Sequence, residues 1–350
     1  MGIIYFVVLL GVIITVHECG HFIAAKSFNV YVPEFSIGMG PQLFQKVKGE
    51  TKYSLRLLPI GGYVAMAGEE GVEGFENIPY ERTIKGLHPL KQLVVMLAGV
   101  FMNMVLALLI FFIVYANIGQ VSKPEPIFNE IMVGSVAEEA GIKSGDRLIK
   151  ATFVDGSSIK VNSYIDYMNA ASFYGEDDPI TFTILRNNVE YEVTLTKDYV
   201  EGQEGKVFGF VFQNSFEEIT LLECIPYAFK ELKDTISTLI LSLSKLIRGR
   251  GLENLSGPVG IYEVANEQAS LGFLNYIYLI GILSVNVGVM NLLPLPMLDG
   301  GQSIITIGEM IVGKKLDNRI RSVLILGSMA LLVLLMLFVT YQDIIRLLAR

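Results

Sequence analysis

Long apolar runs alternate along the chain with stretches in which polar residues recur. Four runs reach the roughly twenty residues that a spanning helix needs; they occupy 1–28, 92–118, 272–293 and 322–341. Between the first two, residues 29–91 carry strand signals. Tyr53, Leu55 and Leu57 alternate with Ser54 and Arg56 over 52–58, and 42–47 reads as the partner strand across a turn at Lys48-Gly49-Glu50-Thr51. Gly61-Gly62 then leads into a further extended piece at 63–66. Residues 124–200 are polar enough to form a compact α+β unit outside the apolar runs. It begins with strand, short helix, turn and strand over 133–149, and the strand pair 180–185 and 190–195 follows. Phe229, Leu232, Ile236, Leu239, Leu243 and Leu246 then recur at helical spacing. This predicts amphipathic helix within 217–250, lying on a membrane surface rather than crossing it. A connecting segment at 251–271 and a proline-broken link at 294–321 flank the third run. The pattern thus predicts a multi-pass α-helical membrane protein with four transmembrane helices, a membrane-associated β-sheet region and a separate α+β domain.

Composition supports this reading. Of 350 residues, 52% are hydrophobic, and the mean hydropathy of +0.50 is too high for an ordinary soluble domain. The net charge of -8, with no basic aromatic-rich patch, argues against a nucleic-acid partner. Two cysteines, Cys19 and Cys224, make no disulfide framework. Lysines and arginines gather after the first run and before the fourth, among them Lys26, Lys46, Arg56, Lys91, Lys314 and Arg321. The positive-inside rule then places these segments in the cytosol, both termini outside and the α+β domain outside. The first run lacks a basic n-region and a small-residue cleavage pattern, which reads as a retained helix rather than a signal peptide.

The chemistry sits inside the first run, as His17-Glu18-Cys19-Gly20-His21, an HExxH motif. On a helix, residues four apart share a face, so both imidazoles can reach one zinc. Glu18 stands beside them as a candidate general base for a zinc-bound water. Ionised groups at this depth cost roughly 2.5–3.5 kcal/mol each, so a task is expected of them. A polar cluster gluing helices together is the plain alternative. A third ligand is needed, and His88 is the one remaining histidine. Asp299 is the better candidate: Pro294 and Pro296 break the chain just before it, and broken backbone at membrane depth is tolerated beside protein or a water-filled cavity. Asn286 and Asn291, on the end of the third run, either hold a substrate backbone at this cavity or bond helix to helix. Gly99 and Asn103, four apart in the second run, read as helix packing, with a catalytic part as the alternative. The small sheet made by the pieces at 42–47, 52–58 and 63–66 is a candidate substrate clamp, with Tyr53, Leu55 and Leu57 as its named contacts; an inert loop is the alternative. A metal transporter would need polar residues along several spans, and the fourth run is almost uniformly apolar. A dead scaffold would not need Glu18.

HECGH in the first run, 57–64 (LLPIGGYV), 98–103 (AGVFMN), 255–261 (LSGPVGI) and 291–301 (NLLPLPMLDGG) together resemble the site-2 proteases, and more narrowly their bacterial RseP-type branch. The resemblance implies an intramembrane zinc metalloendopeptidase of the bacterial cytoplasmic membrane. In it His17, His21 and Asp299 bind Zn2+, and Glu18 activates water near the cytosolic side. It also implies that the outer α+β unit is a single PDZ domain acting as a size filter. Expected substrates are single-pass transmembrane proteins already trimmed outside, such as anti-sigma factors or signal-peptide remnants.

Overall fold

The computed structural model describes residues 2–69, 77–200, 205–248 and 256–349. Parts of three expected segments lie outside the described residues: 70–76 of the β-rich region, 249–255 across the surface-helix and connecting segments, and with it Leu255 of the fourth resembling motif. Four helices are long and apolar enough to cross a membrane, within the residues described: Gly2–Ser27, Pro89–Ile118, Phe273–Asn291 and Arg319–Arg346.

One compact unit comprises residues 1–114, 225–239 and 255–350. It opens with α1 (Gly2–Ser27), followed by β1 (Glu34–Lys48), β2 (Thr51–Ala65) and α2 (Pro89–Ile118). Pro89 heads α2, where its missing N–H costs nothing and its φ suits the first turn. The expected hairpin is present: Gln42 pairs with Arg56, Phe44 with Leu55 and Lys48 with Thr51. The strands do more than this, because both bend. The first part of β1 pairs on one side with the start of β2 (Phe35 with Tyr53) and on the other with its end (Phe35 with Val64). The result is a four-stranded arrangement in which Tyr53 and Leu55 lie on an inner strand and 62–65 form an outer one. Phe35, Val64, Val30 and Val32 pack with Ala25 of α1 and Val95 of α2, which ties the sheet to the helices.

In the second compact unit, residues 115–224 and 240–254, the chain forms β3 (Gln120–Ile131), α3 (Val136–Glu139), β4 (Arg147–Thr152), β5 (Ser158–Lys160), α4 (Tyr164–Ala171), β6 (Ile180–Arg186), β7 (Val189–Leu195), β8 (Asp198–Tyr199), β9 (Lys206–Val207) and β10 (Phe210–Glu218). The main sheet runs β10-β3-β4-β6-β7, with β5 on β4. The predicted β6–β7 pair forms around Asn187 and Asn188, both in left-handed conformation. The sheet passes both limits expected from sequence, starting at Gln120 and ending at Glu218. Its core is aromatic, with Phe128, Phe182 and Tyr167 buried around Leu148.

The chain continues as α5 (Cys224–Ile247), α6 (Pro258–Leu271), α7 (Phe273–Asn291), α8 (Asp299–Val312) and α9 (Asn318–Ala349). Leu232, Ile236 and Leu239 of the expected amphipathic stripe on α5 pack against the helix core, whereas Phe229 and Ile240 stay exposed. That core is built from Leu9 and Ile13 of α1, Ala107 and Phe111 of α2, and Val285 of α7. Two helices, α6 and α8, stand where sequence suggested only connections.

Candidate active site

Close contact between α1 and α2 creates the site. A Cβ on Gly20 would collide with the Ala98 carbonyl and lie 2.9 Å from the Gly99 Cα, so these backbones meet with no side chain between them. A Cβ on Gly99 would in turn collide with His21 Nε2 and lie 2.7 Å from His17 Cε1. Glycine at 99 is therefore what gives both imidazoles their room. The His21 Nδ1–H donates to the Val95 carbonyl at 2.8 Å, which leaves the Nε2 lone pair facing inward. On the other ring, His17 Nδ1 lies 3.3 Å from the Asn103 carboxamide nitrogen. Val95, Gly99 and Asn103 are spaced by four, as His17 and His21 are.

Asp299 arrives from the opposite direction. After α7 ends at Asn291, residues 292–298 fold back over the start of α8. Gly300 and Gly301 permit this, since a Cβ on either would collide with the Leu292 or Leu295 carbonyl. The turn is held by Leu298 N–H to the Leu295 carbonyl at 2.8 Å and by Met297 N–H to Ser328 Oγ at 3.1 Å. A carboxylate also suits the first turn of a helix. Asp299 Oδ2 thereby sits 3.1 Å from His17 Nε2 and 3.4 Å from His21 Nε2, while the two Nε2 atoms are 3.1 Å apart. His17, His21 and Asp299 could hold one metal ion, their ligand atoms all lying within 4.8 Å of one another.

This donor set fits zinc. With the His21 proton on Nδ1, its Nε2 lone pair points at a carboxylate oxygen that is itself buried without a conventional hydrogen-bond partner. Lone pairs facing one another repel, and a cation between them removes the repulsion. Two imidazole nitrogens and one carboxylate oxygen are a common catalytic zinc set, and they leave a fourth position open.

A cavity of about 560 Å³ opens beside the three, lined by Glu18, Gly61, Gly62, Tyr63, Val64, Glu69 and Asn291 among others. A Cβ on Gly62 would lie 3.4 Å from the Glu18 Cγ, so the outer strand of the sheet packs on the candidate base. Asn291 reaches the cavity; Asn286 does not line it, and its Oδ1 is buried without a partner. Tyr53, Leu55 and Leu57 do not line it either. Tyr53 packs on the rings of Phe22 and Phe35, while Leu55 and Leu57 are exposed elsewhere on the sheet. The reason is the folding back of β2, which brings 61–64 rather than 53–57 to the cavity. His88 sits at the head of α2, where its Nδ1 accepts from the Leu90 amide at 3.3 Å. Sequence reasoning put 63–66 in the sheet beside the metal helix but named no residue of 61–64 as a contact, and it missed Glu69. It placed Gly99 and Asn103 on one face, and their match to the histidine spacing was the available signal for a part in the site.

Two histidines and an aspartate beside a cavity, with HExxH on a helix apolar enough to cross a membrane, fit a membrane metallopeptidase. The model of peptidase family M50 matches residues 5–335. The chain belongs to that family, the site-2 proteases, and is a zinc metalloendopeptidase. Among its relatives, a protein of Clostridium acetobutylicum assigned as a zinc metalloprotease is 35% identical over 346 residues, covering 98% of this chain and 97% of that one. The zinc metalloprotease RasP of Bacillus licheniformis is 28% identical over 422 aligned positions, 99% of either chain. The regulator of sigma-W protease RasP of Bacillus subtilis is 27% identical over 422, covering 99% and 98%.

Proposed function

We propose that His17, His21 and Asp299 hold the catalytic zinc and that Glu18 is the general base. On this reading the enzyme cuts transmembrane segments of membrane proteins already trimmed outside. The observation that carries the reading is the meeting of three metal-competent atoms with Glu18 at one cavity, within helices apolar enough to span a bilayer. Bound there, zinc supplies Lewis acidity, making a water nucleophilic near neutral pH and polarising the peptide carbonyl. Glu18 takes the proton of the attacking water and passes it to the leaving amine. The strand at Gly62 packs on the Glu18 side chain at the cavity wall.

A spanning helix keeps its carbonyls in its own hydrogen bonds, so the substrate must unwind before it is cut. The outer strand at 61–64 offers a backbone edge beside Glu18 on which an extended segment can pair. Asn291, at the cavity, is placed to hold a freed backbone group. This replaces the clamp at Tyr53, Leu55 and Leu57, whose strand is already paired on both sides.

Lysines and arginines between α1 and α2 and before α9 favour the cytosol for the active-site end, both termini lying outside. The unit carrying the β10-β3-β4-β6-β7 sheet then lies outside, and its small antiparallel sheet with two short helices supports the reading as a PDZ domain. Its part would be to exclude substrates that still carry a bulky ectodomain. The test offers purified enzyme a model single-pass substrate with and without a folded ectodomain, with and without chelator. Cleavage of the trimmed form alone, abolished by chelator, is expected. Failure to cut the trimmed form would sink the proteolytic reading, and equal cutting of both would remove the filter alone.

A further inference from the structure

Zinc bound through His17 Nε2 requires the imidazole to carry its proton on Nδ1. That atom faces Asn103, whose side chain is fully buried. As oriented, the carboxamide Nδ2 lies 3.3 Å from His17 Nδ1, while Asn103 Oδ1 is buried with no hydrogen-bond partner. An N–H on the ring and an NH2 on the amide cannot bond to each other, because both are donors. Turning the carboxamide over keeps its shape and brings the idle Oδ1 to the ring. We propose that Asn103 is the positioning residue of His17, its Oδ1 accepting the His17 Nδ1–H and so presenting Nε2 to the metal.

The surroundings support this role over plain helix packing. The Asn103 main-chain carbonyl accepts from Ser284 Oγ at 2.9 Å, so its hydrogen bond to α7 does not use the carboxamide. One helix face then serves both histidines: the Val95 carbonyl accepts the His21 Nδ1–H at 2.8 Å, Gly99 makes room for the rings, and Asn103 Oδ1 accepts the His17 Nδ1–H. With a backbone oxygen for one imidazole and a side-chain oxygen for the other, the second of these supports is open to substitution.

The inference rests on the zinc reading above, so the experiment separates the two. Zinc affinity of the full-length detergent-solubilised protein is measured by chelator competition for wild type, His17→Ala, Asn103→Leu, Asn103→Ala and Asn103→Asp. Melting of the metal-free forms is recorded alongside. Removing an acceptor that orients a histidine ligand typically weakens metal binding about 10–100-fold. Asn103→Leu and Asn103→Ala are expected to lose affinity in that range. Asn103→Asp, which keeps an acceptor at the same reach, is expected to stay within about threefold of wild type. Asn103→Ala also carries the test should the bulkier leucine prevent folding. Wild-type affinity in the leucine and alanine variants, with only the metal-free melting lowered, would reduce Asn103 to packing and overturn the proposal. An equal loss in the aspartate variant would overturn it too. Absence of zinc from wild type, or an undiminished His17→Ala, is a different pattern and would reject the zinc site itself.

Discussion

At the scale of single residues, the site depends as much on an absent side chain as on those present. Gly99 lies against both imidazoles, and a methyl there has no way to withdraw because it stands on a helix backbone packed on α1. Gly99→Ala is therefore expected to push the rings from their shared focus and weaken zinc binding on the order of tenfold or more, by analogy with other ligand-orienting changes. Chelator competition checks this; a wild-type affinity would mean that α1 and α2 can part without cost. His17, Glu18, His21 and Asp299 were all legible in sequence, because HExxH states its own geometry and the broken chain before Asp299 demanded a cavity. Asn286 and Asn291 were indistinguishable there. Five residues apart on a helix, they point in different directions, and Asn291, at its very end, reaches the cavity. Gly99 and Asn103 were noticed, but a glycine and an asparagine four apart serve helix packing just as well.

At the scale of elements, the bent sheet decides which strand borders the cavity. Alternation revealed the hairpin of 42–47 with 52–58. It could not reveal that Glu34–Met39 inserts between the two ends of β2: Phe35, Ile37 and Met39 alternate with Ser36, Gly38 and Gly40, but alternation does not say which strands pair. The consequence is functional, because 61–64 becomes the strand beside Glu18. Val64→Pro removes a backbone donor from that outer strand and disturbs the backbone that packs, at Gly62, on Glu18. It is expected to lower turnover about 100-fold, the usual scale for misplaced reacting groups, with zinc content unchanged. Unaltered turnover would rule out a working role for this strand. Two helices were missed for a related reason. In α8, Asp299-Gly300-Gly301 looks like a breaker, yet the glycines are there because the preceding turn lies against them. In α6, Gly257-Pro258 reads as a loop, although proline at the first helical position is a helix start. Its first turn is capped from afar, with Asp343 Oδ2 accepting from the Gly257 and Gly260 amides at 2.9 Å. No local sequence signal announces a cap supplied from so far along the chain.

At the scale of the whole molecule, the catalytic constellation is divided between the ends of the sequence. HExxH lies in α1 and Asp299 opens α8, so the candidate site exists only when these helices are assembled. Chemistry and metal binding are expected to separate cleanly at Glu18, which lines the cavity beside the three candidate ligands without being one of them. The most direct test is cleavage of a model transmembrane substrate by purified protein, with zinc content measured, for wild type and Glu18→Gln. The expected result is about one zinc in both proteins, with turnover in the variant lower by a factor of about 100 to 10,000, the usual worth of a general base. A Glu18→Gln enzyme that cleaves as fast as wild type would contradict the account.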